Sequence, residues 1–216
     1  MPYAAKDRQE FIKRINLTPE ARILDFGGML VEELPSAVFG ITTKRPMTGA
    51  VLIKPTLLPF KNSVFKSVVS YHYFDLVPSD ILKFAFDEAA RVLDRDSCFS
   101  FMITQWAAEN EAQRSSLFFN ELLKSTGALF QHEFEEVSRL LSESGFSEIT
   151  AESVKRDIVI PGDFAKSHLV MLGKLVKKEK EQGGALIKTL ARQYFNNVKV
   201  HGEAMLPAIH FTARKL

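Results

Sequence analysis

The chain has 216 residues, 46% of them hydrophobic and 25% charged, which is enough to bury a substantial core in one large domain or one domain with an appendage. Its single cysteine, Cys98, excludes an intrachain disulfide and points to a reducing compartment, and no apolar run approaches the roughly 20 residues of a membrane span. The net charge of +2 is unevenly placed, because residues 171–216 hold nine Lys or Arg against three Glu and the rest of the chain is acidic.

Lys6 to Leu17 sets Phe11, Ile12 and Ile15 at helical spacing, which predicts an amphipathic helix, and its charges leave no apolar core of signal-peptide length. Thr18-Pro19-Glu20 turns the chain. Arg22 to Phe26 reads as a buried strand ending in Asp25-Phe26-Gly27-Gly28. Val38 to Ile41 and Ala50 to Ile53 are the next two strands, with Pro35 stopping the short stretch after the glycines. Ser67 to Ser70 is a fourth strand, Pro78 breaks the chain, Ser79 is placed to cap, Ile81 to Leu93 has helical periodicity, and Cys98 to Ile103 is a fifth strand. Strand, helix and strand with short polar joints is the pattern of a right-handed crossover in a parallel sheet.

Beyond Thr104-Gln105-Trp106, Ala107 to Ser125 reads as a helix with Leu117, Phe118, Leu122 and Leu123 inward. Trp106 is positioned either to stack on an adenine or substrate or to cover the sheet edge. Phe130 to Ser144 is a helix with Val137, Leu140 and Leu141 on one face, ended by Gly145, and a sixth strand runs on to about Val159. Phe164 to Lys180 and Ala185 to Asn196 are two further helices parted by Gln182-Gly183-Gly184, and Ala208 to Ala213 closes the chain as a seventh strand.

Several features of the middle of the chain fall in one frame: Leu58-Pro59-Phe60, Phe65, Val68-Val69, Val77-Pro78 and Ala90-Arg91-Val92-Leu93, followed later by LLSESGFSEIT. In this frame the chain resembles the class I S-adenosylmethionine-dependent methyltransferases, type 11-like, with a degenerate cofactor motif. The resemblance implies an α/β fold: a seven-stranded, mostly parallel, doubly wound sheet of strand order 3-2-1-4-5-7-6, helices on both faces, and a helical insertion before the last strand. It implies a Rossmann-like core over residues 1–160 and 203–216. Residues 161–202 are then an insertion or cap, rising from the rim where such sheets bind ligands.

The family's first strand ends in an acid and a glycine-rich turn, matched here by Asp25, Gly27 and Gly28; glycines admit close backbone approach and the acid anchors a cation or hydroxyl. Elsewhere the chain departs from the pattern. The glycine run is short, Thr42 stands where the family has a ribose-binding carboxylate, Lys54 where it has an aspartate for the adenine amine, and Lys66 where it has the aspartate of a Phe-Asp pair. Losing two carboxylate anchors at about 1.5–3 kcal/mol each would weaken a micromolar site to about millimolar.

The resemblance implies S-adenosylmethionine as cofactor, bound by Asp25, Gly27, Gly28, Thr42, Leu57 and Ser70. His72 and Tyr71, beside Tyr73 and Asp75, follow strand four where the family presents residues to the methyl group and its acceptor. His72 has the chemistry of a general base near neutral pH, and aromatic packing is the other role open to this group. The five histidines have no ligand-spaced partners, so no metal site is expected. The implied function is methyl transfer to an unidentified acceptor, small molecule or protein, in the cytoplasm. The alternative is a non-catalytic methyltransferase-like partner or scaffold that has lost cofactor binding. Nucleic acid is a less favoured partner, because Lys174, Lys177, Lys178 and Lys180 interleave with Glu179 and Glu181 as on a solvated helix face. No membrane partner is expected, and the sequence assigns no oligomeric state.

Overall fold

Short apolar strands alternating with amphipathic helices give the element order α1 (Ala5–Arg14), β1 (Ile23–Phe26), β2 (Val38–Ile41), β3 (Ala50–Leu52), β4 (Phe65–Tyr71), α2 (Ser79–Val92), β5 (Leu93–Thr104), α3 (Glu111–Ser125), α4 (Phe134–Glu143), β6 (Phe146–Val154), α5 (Gly162–Lys178), α6 (Ala185–His201) and β7 (Ala208–Lys215). This is a computed structural model, and it describes residues 4–15, 17, 22–34, 37–41, 50–178 and 185–216. Thr42, the Thr18-Pro19-Glu20 turn, Pro35 and Gln182-Gly183-Gly184 lie outside the described residues.

Five strands pair in parallel in the order β3-β2-β1-β4-β5, with Leu24 opposite both Val38 and Val68, Phe39 opposite Ala50, and Val68 opposite Phe99. The same sheet continues through β7 to β6. β7 runs against both of its neighbours: Ser100 meets His210 and Asp96 meets Arg214 on the β5 side, while Glu148 meets Arg214 and Thr150 meets Thr212 on the β6 side. The sheet is therefore mixed.

Period-two alternation sorts the strand side chains between two covered faces. Leu24, Phe26, Val68, Phe99, Phe101 and Phe211 share one face with Leu82, Phe86 and Ala89 of α2 and Val137, Leu140 and Leu141 of α4. On the other face Phe11 of α1 packs against Tyr71 and His210 at ring separations of 5.8 and 5.4 Å. Burying each such aromatic contributes about 1.5–3 kcal/mol, which makes this core the main stabilising element.

Some boundaries differ from the sequence reading. β5 starts at Leu93 rather than Cys98, directly after α2, and its pairing with β4 shifts register between Phe65 and Ser67. The polar run Asp94-Arg95-Asp96-Ser97 hid this start, because its side chains carry no apolar alternation. β6 ends at Val154, not near Val159, which is 68% exposed and makes only an isolated bridge to Ala204. α3 starts at Glu111, where the Asn110 side chain accepts from the Gln113 N–H at 2.9 Å and fixes the N-terminus.

The described chain divides into two compact units. One comprises Ala5–Ile103, Phe130–Ser153 and Ile209–Leu216, and carries most of the sheet. The other holds Thr104–Leu129 and Val154–Ala208. Its core joins Phe119 and Leu122 of α3, Leu172 of α5, and Ile187 and Tyr194 of α6. No described helix is long and apolar enough to cross a membrane.

Candidate functional site

β1 pairs with β2 on one side and β4 on the other. The chain leaves β1 in one direction and returns at β4 in the other, and such a reversal opens a crevice at the carboxyl ends of the two strands. Asp25 stands there, opposite Val69 of β4, and is 0% exposed. Its Oδ2 accepts from the Leu30 N–H at 2.7 Å, while Oδ1 has no hydrogen-bond partner. Burial foremost, with the nearby Glu33 carboxyl, pushes its pKa up from 3.8 to about 7, against backbone donation from Leu30 and Gly28.

Gly27 and Gly28 follow with φ of +114° and +68°, backbone that side-chain-bearing residues rarely adopt. The Gly27 N–H donates to the Gly40 carbonyl at 2.8 Å. A Cβ at Gly27 would fall 2.5 Å from Tyr73 Cβ, so this glycine is needed for Tyr73, which stacks on Phe26 at 5.4 Å. Beyond the glycines the chain makes a single turn in which the Glu33 and Leu34 N–H groups donate to the Leu30 carbonyl. That turn carries Glu33 back toward α1, where its Oε1 accepts from Arg8 Nε at 2.6 Å and leaves Oε2 without a partner. Arg8 Nη2 also reaches Glu32 at 2.8 Å.

β4 delivers the second group. The Tyr71 hydroxyl donates to Asp7 of α1 at 2.5 Å. His72, at φ +56°, leaves the strand in left-handed backbone, its N–H on the Met102 carbonyl and its Nδ1 2.7 Å from Asp75 Oδ2. Such strain persists only where the surroundings impose it. Here Asp75 is anchored in turn, its carbonyl accepting from the Phe130 N–H at 2.8 Å. The Tyr71 and His72 rings meet edge to face at 4.7 Å.

The structure thus places Asp25, Gly27 and Gly28 in one turn and Tyr71 and His72 at the end of the adjacent strand. Ser70 is fully buried with its Oγ unpartnered, and it pairs with Phe101 on the opposite face of the sheet from Asp25. Leu57 is 63% exposed in the tight turn after β3, two strands from Asp25, and its N–H bonds the Lys54 carbonyl at 3.0 Å. Glu33, Asp7 and Arg8 were not singled out from sequence, because their partners lie 25 and 64 residues away. One signal was available: Asp7 and Arg8 share the inward stripe of α1 with Phe11. Among the described residues no group of three or more His, Cys, Asp or Glu could hold a metal ion.

No protein-family profile and no curated protein sequence matches the chain. Solved structures do. A Bacillus halodurans C-125 protein assigned as a methyltransferase aligns with TM-score 0.62 at 18% identity, over 98% of this chain and 99% of that one. The [4+2]-cyclase SpnF aligns with TM-score 0.61 at 15% identity, over 97% and 80%. Phosphoethanolamine N-methyltransferase 2 of Haemonchus contortus, solved with phosphomonomethylethanolamine and S-adenosylhomocysteine, aligns with TM-score 0.56 at 11% identity, over 98% of this chain and 52% of that one.

The chain has the class I methyltransferase fold.

Within a methyltransferase fold the group to test against the crevice is S-adenosylmethionine. The residues fit its amino-acid end: Asp25 offers a buried acceptor oxygen without a partner, and Gly28 leaves backbone bare of side chain. Lys54, at the position where the resemblance would put an acceptor for the adenine amine, is exposed and has no side-chain acceptor. Recognition would therefore be concentrated at the β1 turn.

Proposed function

We propose that this methyltransferase-fold protein is an S-adenosylmethionine-dependent methyltransferase acting on an unidentified acceptor, a small molecule or a protein. The observation that carries the reading is the unpartnered Asp25 oxygen, buried beside two positive-φ glycines at the β1/β4 reversal. A buried acceptor without a donor is costly, and a ligand donor would satisfy it. The cofactor would supply a sulfonium-bound methyl group as the electrophile. Asp25, Gly27 and Gly28 would hold it, and Thr42, Leu57 and Ser70 remain candidates for contacts around it.

His72 would take the acceptor's proton on the ring nitrogen turned away from Asp75, with Asp75 setting the tautomer and orientation through the 2.7 Å bond. Tyr71, tied to Asp7, packs its ring against the imidazole and limits its rotation. A base of this kind is needed when the acceptor atom carries a proton at neutral pH, as a hydroxyl or an ammonium does. A cytoplasmic setting accords with the single cysteine, and the interleaved charges of the basic terminus make nucleic acid the less favoured acceptor.

A second reading, a non-catalytic partner or scaffold, is favoured by Tyr73 closing over Gly27 and by Lys54 at the position where the resemblance would put an acceptor for the adenine amine. The [4+2]-cyclase SpnF also indicates that the fold is not confined to methyl transfer. Calorimetric titration with S-adenosylmethionine and S-adenosylhomocysteine, after mass spectrometry for copurified cofactor, separates the two. Micromolar binding is expected of the enzyme; absence of binding up to millimolar ligand, in folded protein, rules it out.

A further inference from the structure

Among the described helices α6 alone has no acidic residue: Ala185 to His201 reads ALIKTLARQYFNNVKVH. Other helices pair exposed bases with acids a turn away, Lys83 with Asp87 at 2.8 Å on α2, Arg139 with Glu143 at 2.6 Å on α4 and Lys166 with Asp163 at 3.1 Å on α5. The glutamates that interleave with lysines over residues 174–181 end before α6 begins. Lys188, Arg192 and Lys199 of α6 are exposed, and among the described residues none of them has an acidic partner. Lys188 stands in the first turn, where the helix macrodipole disfavours a cation and no acid offsets it. At 3.6 residues per turn the three bases fall in one stripe about 40° wide. Phe195, 51% exposed, borders that stripe one turn from both Arg192 and Lys199. Ile187 and Tyr194 turn the other way, into the core with Phe119 and Leu122 of α3, so packing holds the stripe outward.

We propose that this face of α6 docks single-stranded nucleic acid, the three cations meeting backbone phosphates and Phe195 stacking on an unpaired base. Like charges in one stripe repel, and a row of fixed anions relieves that repulsion while releasing its own counterions. Lys188 and Arg192 are about 6 Å apart along the axis, and Arg192 and Lys199 about 10 Å, so the charge follows a strand rather than a single phosphate. An exposed aromatic ring beside the cations suits the face of a base and is left unused by a bare polyanion. A lipid surface fits less well, because α6 has no continuous apolar face outside its core. Leu186 and Val200, 61% and 73% exposed, lie about 140–180° around the helix from Phe195. Docking on α6 uses none of the residues at the β1–β4 reversal, so it goes beyond the methyltransferase reading and does not depend on it.

The test is fluorescence anisotropy of an end-labelled oligouridylate of about 12 nucleotides, titrated with the full chain at about 50 to 200 mM NaCl. The logarithm of the binding constant should fall against the logarithm of salt with a slope of about −2, as three phosphate contacts on a single strand require. The combined variant Lys188→Gln, Arg192→Gln and Lys199→Gln should bind about tenfold or more weakly at low salt, with a slope near zero. A control, Lys83→Gln, Arg139→Gln and Lys166→Gln, removes the same number of charges from paired positions and should stay within about twofold of the unsubstituted chain. Phe195→Ala should weaken the strand about fivefold or more at unchanged slope, and should leave binding of a duplex, whose bases are already stacked, unaltered. The surface is overturned by absence of binding at about 100 μM chain in low salt, by equal losses in the two triple variants, or by a Phe195→Ala variant that binds the strand normally. Capture by vesicles of phosphatidylserine and phosphatidylcholine without binding of the oligonucleotide would make the face a membrane contact and overturn it as well.

Discussion

Asp25 and His210 are buried groups whose protons respond to folding in opposite senses. The Asp25 pKa rises from 3.8 to about 7, so the folded chain keeps a proton that the unfolded chain gives up. Its contribution is full below the unfolded value and is lost as pH rises toward 7, on the order of 4 kcal/mol in all. Asp25→Asn retains an acceptor for Leu30 and should flatten the loss between pH 4 and 7, leaving the variant with the higher melting temperature at pH 8. Melts at pH 4.5, 6 and 8 check this; parallel curves for the two proteins would show that Asp25 titrates normally. Burial, then the Arg14 charge, lowers the His210 pKa from 6.5 to about 4, and its Nε2 lies 2.7 Å from Ser100 Oγ. This contribution is present above 6.5 and is lost as pH falls toward 4, about 3 kcal/mol. His210→Asn should remove that acid limb, measured by urea denaturation at pH 4.5 and 7.5. Both residues stand in the sequence, but an environment that shifts them exists only where strands distant in the chain meet.

At the scale of elements, the two glycine turns that follow β1 and α4 have different tolerances. Gly27→Ala must take φ +114° and place its Cβ 2.5 Å from Tyr73 Cβ, which is itself fixed on Phe26. Strain and overpacking together should cost about 3–5 kcal/mol. Gly145→Ala, at φ +85° after α4, meets nothing within 4 Å and should cost only about 1–2 kcal/mol. Chemical denaturation of both variants tests the contrast, and equal losses would mean that backbone conformation alone sets the penalty. The glycines and their turns were legible in sequence; that Gly27 answers to Tyr73 was not. The polar start of β5 was likewise invisible to a search for apolar periodicity.

For the molecule as a whole, the helical unit has a polar centre of its own. Glu203 accepts from Tyr194 Oη at 2.8 Å and Ser116 Oγ at 3.2 Å and lies 3.0 Å from His168 Nδ1, so α3, α5 and α6 converge on one buried carboxylate. Glu203→Ala strands the fully buried Tyr194 hydroxyl and should destabilise this unit by about 3 kcal/mol or more. Hydrogen exchange should then quicken in α3, α5 and α6 while β1 and β4 keep their protection, because the sheet has a separate core. Equal acceleration in both would show one cooperative unit. The sequence by itself determined the α/β class, the crossover from β4 to β5 and the Asp25-glycine turn, because periodicity, helix stops and turn chemistry act over a few neighbouring residues. Only the tertiary structure decided that α3 shares a core with α5 and α6, that His72 leans on Asp75 in strained backbone, and that Glu33 and Arg8 meet beside Asp25. Those contacts join residues whose separation along the chain carries no local signal, and burial becomes defined only once the chain has closed around them.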